Sequence, residues 1–176
     1  MSSHRDGSTA PPADGRAAVV AAVVVVSDRC SRGEATDRSG PVAVDRLRSA
    51  GLSVGEPTIV PDGADQVREA LAAVLAGPAR LVVTSGGTGL TPRDRTPEGT
   101  RPLLATELTG LAEAIRRAGQ AHVAAAVLSR GLAGLTERGQ IVVNLPGSPA
   151  AVGQGLDVLL PLLDHMLDQI AGGDHS

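Results

Sequence analysis

The residues best suited to chemistry lie in one stretch, Leu81–Glu98, which reads LVVTSGGTGLTPRDRTPE. Its apolar start predicts a buried strand, and the glycines that follow let the backbone approach a ligand closely because they carry no Cβ atom. Two arginines then flank Asp94, a combination that suits an anionic ligand together with a divalent metal. Thr96 as N-cap and Pro97 at the first helical position predict that a helix begins there. This layout indicates a phosphate-handling site at the carboxyl end of a strand.

Asp94 is one of three carboxylates that follow predicted strands, and the others are Asp28 and Asp62. Because the carboxyl ends of parallel strands meet at one edge of a sheet, we expect the three loops to converge. Asp62 and Asp94 could then hold Mg²⁺ through oxygen ligands, with nucleotide phosphates completing its shell. Taken alone, each aspartate could equally form a turn or cap a helix, and the glycines could serve only a tight turn. Asp28 could likewise be only a hydrogen-bonding loop residue.

The elements that position these loops alternate between strands and helices in the first half of the chain. The apolar patterning predicts strands over Val19–Val26, over Ser53–Val60 and from Leu81. Predicted helices run from a cap at Ser39 or Gly40 to about Ala50, and through Val67–Leu75. The order β-α-β-α-β with short connections predicts a parallel, doubly wound sheet and therefore an α/β fold.

The second half of the chain is predicted to add helices and two short strands. The helical segments are Leu111–Gly119, Val123–Leu128 and Ala150–Ile170, the last interrupted near Pro161. The strands are Leu132–Thr136 and Ile141–Leu145, joined by a polar turn. Ser129, Arg130 and Ser148 lie at the ends of these elements. They either offer donors to a second phosphate or simply cap the neighbouring helices.

Composition excludes several classes of function. The 176-residue chain has no Phe, Tyr or Trp, so no aromatic ring can stack on the bases of a single-stranded nucleic acid. A formal net charge of -3 without a basic block argues against nucleic-acid binding in general. All 16 cationic side chains are arginines, which excludes a catalytic lysine. Cys30 is the only cysteine, so an internal disulfide is excluded, and we interpret it as a loop residue rather than a nucleophile.

One domain is predicted between two tails. Residues 1–16 are rich in Ser, Pro, Gly and Asp and are predicted to be a disordered tail, 17–171 to form the domain, and 172–176 to be a short second tail. The apolar run AAVVAAVVVV is too short to span a bilayer and is followed by no signal-peptide cleavage pattern. We interpret it as the first buried strand and expect a cytoplasmic protein with no membrane segment.

Four motifs together resemble one known family. VVVSDRCSRGEATDRSGP, TSGGTGLTPRDRTPE, LSRG and NLPGSP occur in that order and closely resemble the MogA/MoaB family of molybdenum-cofactor biosynthesis. The same module is the G domain of gephyrin and of its plant counterpart. The resemblance covers about Val19–Ile170. It implies a three-layer α/β/α sandwich with a mostly parallel central sheet, assembled as a homotrimer or sometimes as a hexamer.

The resemblance also implies an activity and the residues that carry it. Family members adenylylate molybdopterin with ATP and Mg²⁺ and release pyrophosphate, and a MoeA-type molybdate-inserting enzyme is the expected partner. Asp62 and Asp94 match the family's functional acids, which makes them the candidate catalytic residues and Mg²⁺ ligands. The positions that match the substrate pocket are Ser27, Asp28, Gly86, Gly87, Thr88, Gly89, Ser129, Arg130, Asn144, Gly147 and Ser148.

Two other functions compete with an adenylyltransferase. The domain could bind molybdopterin without catalysis, as a MoaB-type or CinA-like module, or it could be a general nucleotide-binding or scaffold protein. The presence of both Asp62 and Asp94 favours the enzyme, and the lack of aromatic side chains to stack on a base makes the general nucleotide-binding function the weakest. Pyrophosphate release from ATP in the presence of molybdopterin distinguishes the three.

Overall fold

The first apolar run forms β1, Val20–Val26, inside a seven-stranded sheet. The structure is a computed structural model, and it describes residues 19–172. The predicted tail over 1–16 lies outside the described residues, and so does the predicted tail over 172–176 except for Gly172. No helix within the described part of the chain is both long and apolar enough to cross a membrane.

The sheet is parallel except at one edge. Its other strands are β2 Ser53–Val54, β3 Thr58–Val60, β4 Leu81–Ser85, β5 Thr106–Glu107, β6 Ala133–Leu135 and β7 Ile141–Leu145. The order is β2-β1-β4-β7-β6-β5, and β3 also pairs with β1. The strands β1 to β4 and β7 run parallel, whereas β5 and β6 add an antiparallel edge. The prediction of a mostly parallel sheet is confirmed.

Helices cover both faces of this sheet. They are α1 Asp28–Ser31, α2 Ser39–Ser49, α3 Ala64–Leu75, α4 Thr96–Thr100, α5 Thr109–Gln120 and α6 Pro149–Ile170, with 3₁₀ turns at Arg101–Leu103 and Ala124–Leu128. Successive residues of a strand point to opposite faces. Accordingly Val23 and Val25 pack with α2, α5 and α6, while Val24 and Val26 pack with α3. The two apolar cores on either side of the sheet confirm the three-layer α/β/α fold.

Two predictions about strands are corrected. The predicted strand Ser53–Val60 is two strands, β2 and β3, that both pair with β1. Pro57 lies between them and has no N–H to donate to a strand ladder, which accounts for the break. The two-residue strand β5 was not predicted, because a pair of residues is too short to leave an alternating pattern.

The last helix is also corrected, because α6 runs without interruption through Pro161. A proline inside a helix removes one hydrogen bond to the carbonyl four residues earlier. Pro161 and Asp157, the residue that would have supplied that carbonyl, are both exposed, so water can satisfy the lost bond. The Val123–Leu128 segment is helical only as a 3₁₀ turn.

The start of α2 is held by Asp37 rather than by the predicted cap at Ser39 or Gly40. The Asp37 Oδ1 atom accepts hydrogen bonds from the backbone N–H groups of Ser39 at 2.9 Å and Gly40 at 3.0 Å. The Ser39 hydroxyl donates to the same oxygen at 3.1 Å. One carboxylate oxygen therefore satisfies two of the amides that a helix start leaves unpaired.

Replacing this carboxylate tests the assignment. Asp37→Ala leaves two amide donors at a largely buried helix start without their acceptor, and we expect it to lower the free energy of unfolding by about 1–2 kcal/mol. Ser39→Ala removes one hydroxyl donor from an acceptor that keeps two others, and it should cost less than about 1 kcal/mol. Urea unfolding of both variants shows which of them loses more unfolding free energy. Equal costs, or a larger cost for Ser39→Ala, would return the capping role to Ser39.

Candidate functional site

The loops that follow β1 and β3 meet at the carboxyl edge of the sheet. The backbone N–H of Asp28 donates to Asp62 Oδ2 at 2.9 Å, and the backbone N–H of Asp62 donates to Asp28 Oδ1 at 3.1 Å. Arg93, from the loop after β4, reaches Asp28 Oδ2 at 3.5 Å. The structure thus brings together the three loops that the sequence predicts to converge.

The glycine turn lies directly against β1 and α4. Gly86 has φ +102° and Gly87 has φ +65°, backbone conformations that favour glycine. A Cβ atom on Gly86 would lie 2.3 Å from the carbonyl oxygen of Val26, and one on Gly87 would lie 2.2 Å from Thr96 Oγ1. The turn that follows β7 is equally close, since a Cβ on Gly147 would lie 3.3 Å from the Gly86 Cα atom. No side chain fits at either of the first two positions.

Thr96 fastens this turn, and the prediction that it is an N-cap is corrected. It is the first residue of α4, where no side chain caps the helix. Its buried hydroxyl donates to the Gly86 carbonyl at 2.8 Å, and its backbone N–H donates to the Gly87 carbonyl at 3.0 Å. A cap hydroxyl accepts from the helix, whereas this one donates to the turn.

A buried side-chain amide, that of Asn144, forms hydrogen bonds beneath the glycine turn, in the interior of the protein. Asn144 is 3% exposed, and its Nδ2 donates to the hydroxyls of Thr84 and Thr100, both at 3.0 Å. Its Oδ1 accepts from the backbone N–H of Leu132 at 3.1 Å. Thr100 in turn donates to the Thr96 carbonyl at 2.8 Å. Asn144 therefore joins β4, β7, the start of β6 and α4, and its contacts are internal.

The acidic loop, residues 90–95, folds around the Asp94 side chain. Asp94 Oδ2 accepts from the Thr91 backbone N–H at 2.9 Å and from the Thr91 hydroxyl at 2.6 Å. The same carboxylate lies beside Gly89, where an added Cβ would approach Oδ2 to 2.8 Å. Thr91, three residues before the aspartate, was missed from the sequence, although this spacing is typical of a side chain that closes a turn. The loop leaves Oδ1 of Asp94 without a donor among the described residues.

Arg130 ties the glycine turn to the acidic loop. Its Nε donates to the Gly89 carbonyl at 2.8 Å, its Nη2 donates to the Asp94 carbonyl, and its Nη1 donates to Glu98 Oε1 at 2.6 Å. Its backbone N–H donates to the Thr88 carbonyl at 2.9 Å. The guanidinium that the sequence offered to a phosphate is thus engaged by protein oxygens at all three nitrogens.

Glu98 is the acid that receives Arg130, a role that sequence reasoning missed. Burial raises the pKa of the Glu98 carboxyl, but the hydrogen bond from Arg130 and the positive charges of Arg130 and Arg95 outweigh it. The pKa therefore lies below its ordinary value of 4.5, and Glu98 is ionised at neutral pH. Its Oε2 atom is buried and accepts no hydrogen bond from the described residues, so Oε1 carries the ion pair.

Three serines of the site cap local structure. Ser27 accepts from the Cys30 N–H at 3.2 Å at the start of α1, and Ser148 accepts from the Ala151 N–H at 3.2 Å at the start of α6. Ser129 accepts from the Gly131 N–H at 3.3 Å. A hydroxyl that accepts one hydrogen bond still has its own hydrogen to donate. Capping and ligand binding are therefore compatible for all three.

Besides a cavity of about 290 Å³ that Ser129 and Arg130 line among others, two larger cavities open beside these residues. One of about 420 Å³ is lined by Ser27, Cys30, Asp37, Gly147 and Ser148, and another of about 320 Å³ by Thr88, Gly89, Ser129 and Ser148, among others. Both volumes are in the range of small-molecule sites. Ser148 lines both, so the two cavities flank the turn that follows β7.

The donor set suits a magnesium ion that is shared with a ligand. Within residues 19–172, no cluster of three or more His, Cys, Asp or Glu side chains could hold a metal by itself. Mg²⁺ is usually bound by one or two carboxylates together with substrate phosphates, and it prefers oxygen ligands. Asp62 and Asp94 are each half-buried, and each has one oxygen held by a protein donor. They fit this mode of binding.

Comparison with known proteins points to one family. A family model described as probable molybdopterin binding domain matches residues 22–165. A molybdopterin adenylyltransferase of Pyrococcus furiosus is 40% identical over 149 residues, which is 82% of this chain and 87% of that protein. The solved structure of the molybdopterin biosynthesis Mog protein from Mycobacterium ulcerans is 44% identical, with a TM-score of 0.82 over 89% of this chain and 99% of that one.

Some relatives are longer than this chain. A molybdenum cofactor biosynthesis bifunctional protein of Synechococcus elongatus is 40% identical over 165 residues, which is 94% of this chain and 51% of that protein. The chain spans about half the length of such bifunctional relatives.

The buried amide gives a first test of the site. Asn144→Leu leaves a backbone N–H without its acceptor and two hydroxyls without their donor, and we expect a loss of about 2–3 kcal/mol in the free energy of unfolding. Gln140→Leu is the matched control, because Gln140 is a buried amide that bonds the carbonyls of Leu75 and Ala79 at the opposite edge of the sheet. Urea unfolding should show similar losses for both variants.

Only Asn144→Leu should loosen the glycine turn. Amide hydrogen exchange at Thr84, Ser85 and Gly86, whose amides lie in the sheet or bond to Leu145, should be faster in that variant and unchanged in Gln140→Leu. Equal exchange in the two variants would show that the Asn144 network stabilises the fold without ordering the turn.

The Glu98 ion pair gives a test against pH. Because the folded pKa lies below 4.5, the contribution of ionised Glu98 to stability is fully present above that value and is lost as the pH falls through the folded pKa. Wild type should therefore be more stable than Glu98→Gln from about pH 7 to about pH 5, and the difference should shrink as the pH falls further. Urea unfolding at several pH values measures this difference.

Glu113→Gln is the control for this series, because Glu113 forms an exposed ion pair with Arg117 on α5. Such pairs contribute about 0.3–0.5 kcal/mol, so this variant should follow wild type closely at every pH. A wild-type advantage over Glu98→Gln that grew on acidification would contradict the ionised state of Glu98.

Proposed function

The chain belongs to the MogA/MoaB family of probable molybdopterin-binding domains, and we propose that it adenylylates molybdopterin with ATP and releases pyrophosphate. The terminal phosphate of molybdopterin attacks the α-phosphate of ATP. One P–O bond forms there, the bond from the α-phosphate to the bridging oxygen breaks, and pyrophosphate leaves with that electron pair. The nucleophile is already an anion, so the reaction needs no strong base.

The glycine turn carries this proposal. Among the described residues, no atom accepts a hydrogen bond from the backbone N–H of Gly87, Thr88 or Gly89. These groups follow the carboxyl end of β4, Gly87 and Gly89 are half-buried, and Thr88 and Gly89 line a cavity. Successive unpaired N–H groups in a turn form an anion-binding concavity. We infer that they receive a phosphate of ATP or of molybdopterin.

The remaining residues would bring the two anions together. Asp62 and Asp94 would hold Mg²⁺, which when bound neutralises phosphate charge. The hydroxyls of Ser27, Ser129 and Ser148 would donate to the substrates from the two cavities. Transfer of this kind depends on positioning and on charge stabilisation more than on covalent chemistry by the protein. Such a division fits a chain that has no lysine.

The setting of the reaction is part of the proposal. We propose a cytoplasmic homotrimer or hexamer that passes adenylylated molybdopterin to a MoeA-type molybdate-inserting enzyme. The existence of bifunctional relatives about twice as long supports a close relation to a second activity, since one half of such a protein matches this chain.

Pyrophosphate release tests the proposed reaction. Wild type with ATP, Mg²⁺ and molybdopterin should release pyrophosphate, and release should depend on molybdopterin. Asp94→Asn should lower kcat by about 100-fold or more, because it removes the negative charge that would hold Mg²⁺ beside the reacting phosphates. Asp157→Asn is the control, since Asp157 pairs with Arg46 on the surface between α2 and α6, and it should keep wild-type activity.

Two other outcomes would contradict the proposal. Molybdopterin binding by wild type without pyrophosphate release would identify a binding module. ATP binding that is indifferent to molybdopterin would identify a general nucleotide-binding protein.

A further inference from the structure

We infer that Arg130 is a positioning residue that fixes the Asp94 carboxylate relative to the glycine turn, rather than a group that binds substrate phosphate. The inference deepens the proposed function, because it rests on Asp94 acting at the reacting phosphates. It assigns to Arg130 a role different from the one that its position beside the substrate pocket predicts.

The contacts of Arg130 use three of its five guanidinium N–H groups and fix the orientation of the guanidinium. Each guanidinium nitrogen donates to a different residue: Nε to the Gly89 carbonyl, Nη1 to Glu98 Oε1 and Nη2 to the Asp94 carbonyl. Two of these acceptors are backbone carbonyls, one at the end of the glycine turn and one in the acidic loop. A phosphate that claimed the same N–H groups would leave these carbonyls unpaired, which carries a cost in free energy.

The acidic loop has few other long-range anchors. Asp94 bonds Thr91, and the Arg95 Nε bonds the Pro92 carbonyl at 3.2 Å, but these contacts are local to the loop. Two further links are longer and more exposed. Arg95 reaches Glu98 Oε1 at 3.7 Å and Arg93 reaches Asp28 Oδ2 at 3.5 Å, and these arginine side chains are 52% and 75% exposed. Arg130 therefore supplies the close bonds that join the two ends of the loop to the body of the protein.

Glu98 holds the Arg130 guanidinium in place through an ion pair. It lies on α4, whose Gly99 packs so closely that an added Cβ would approach the Ala64 carbonyl oxygen to 2.5 Å. The 2.6 Å bond to Glu98 orients the guanidinium, and the carboxylate offsets its positive charge. An arginine compensated in this way attracts a phosphate less strongly than a free one.

The inference predicts a change in kcat rather than in KM. In Arg130→Met the loop loses its anchors, and displacement of a reacting group by about 1 Å can lower a rate about 100-fold. We expect kcat for pyrophosphate release to fall by about that factor, while KM for ATP and for molybdopterin stays within about threefold. Glu98→Gln, which keeps the side-chain shape, should lower kcat by about 10-fold. If Arg130→Met folds poorly, Glu98→Gln replaces it in this test.

The matched control is Arg138→Met. Arg138 lies in the turn before β7, at the opposite edge of the sheet, and its guanidinium donates to the Leu75 carbonyl at 3.2 Å. The Arg138→Met substitution removes a hydrogen bond from an arginine to a backbone carbonyl, as Arg130→Met does, and we expect this variant to keep wild-type kcat and KM.

A double variant separates positioning from general destabilisation. If Arg130 acts through Asp94, then adding Arg130→Met to Asp94→Asn should lower kcat by less than about threefold further, because the group to be positioned has already lost its function. A structural role alone would lower activity by the same factor in both backgrounds.

Amide hydrogen exchange tests the inference without any assay of activity. Exchange at the hydrogen-bonded amides of Thr91 and Asp94 should be faster by about 10-fold or more in Arg130→Met, with β7 unchanged, and should be unaffected in Arg138→Met. Faster exchange together with absent pyrophosphate release in wild type would overturn the proposed function and leave the loop-ordering role of Arg130 supported. A raised KM with unchanged kcat and unchanged loop exchange would overturn the inference and make Arg130 a phosphate-binding residue.

Discussion

The carboxyl edge of the sheet depends on how closely the glycine turn approaches the end of β1. Gly86 and Gly87 lie so near the Val26 carbonyl and the Thr96 hydroxyl that a side chain at either position would overlap an oxygen atom. Because the approach is so close, Thr96 can bond the turn directly, and α4 begins at a fixed distance from β4. The positions of Glu98 and of the acidic loop follow from where α4 begins.

Polar side chains in this region bond mainly to the protein. Asn144 bonds two threonines and a backbone amide, Arg130 bonds two carbonyls and Glu98, and Asp37 bonds the start of α2. Buried polar groups are costly unless they are paired, so each of these networks favours one arrangement of the loops. Among the described residues, the N–H groups of Gly87, Thr88 and Gly89 and the Oδ1 atom of Asp94 have no hydrogen-bond partner, and these are the groups that the proposed function assigns to a ligand.

The sequence predicted the strands more reliably than the contacts between loops. β1, β4 and β7 could be found because each is a run of apolar, mostly β-branched residues that is buried on both faces. The convergence of the loops bearing Asp28 and Asp62 followed from the parallel order of the strands. The role of Arg130 could not be found, because its partners Gly89 and Glu98 lie 41 and 32 residues away and no spacing rule links them. The same holds for Asn144, whose bond to Thr84 crosses 60 residues.

The arginines of the site differ in exposure: two are exposed to solvent, where they can attract an anion, and one bonds to the protein and orders a loop. Arg93 and Arg95 have side chains that are 75% and 52% exposed, and Arg130 is 35% exposed and paired with Glu98. Exposed charges attract a polyanion over about a Debye length, but water and salt screen them, and flexible side chains must reorganise around each new charge. Oriented amides, and a carboxylate held ready to bind Mg²⁺, need no such reorganisation, so under the proposed function they would stabilise phosphate charge more effectively at the moment of reaction. Under the proposed function, a site that joins two phosphates without a lysine gains its rate from the order of its loops, and Arg130 is the residue that we infer supplies that order.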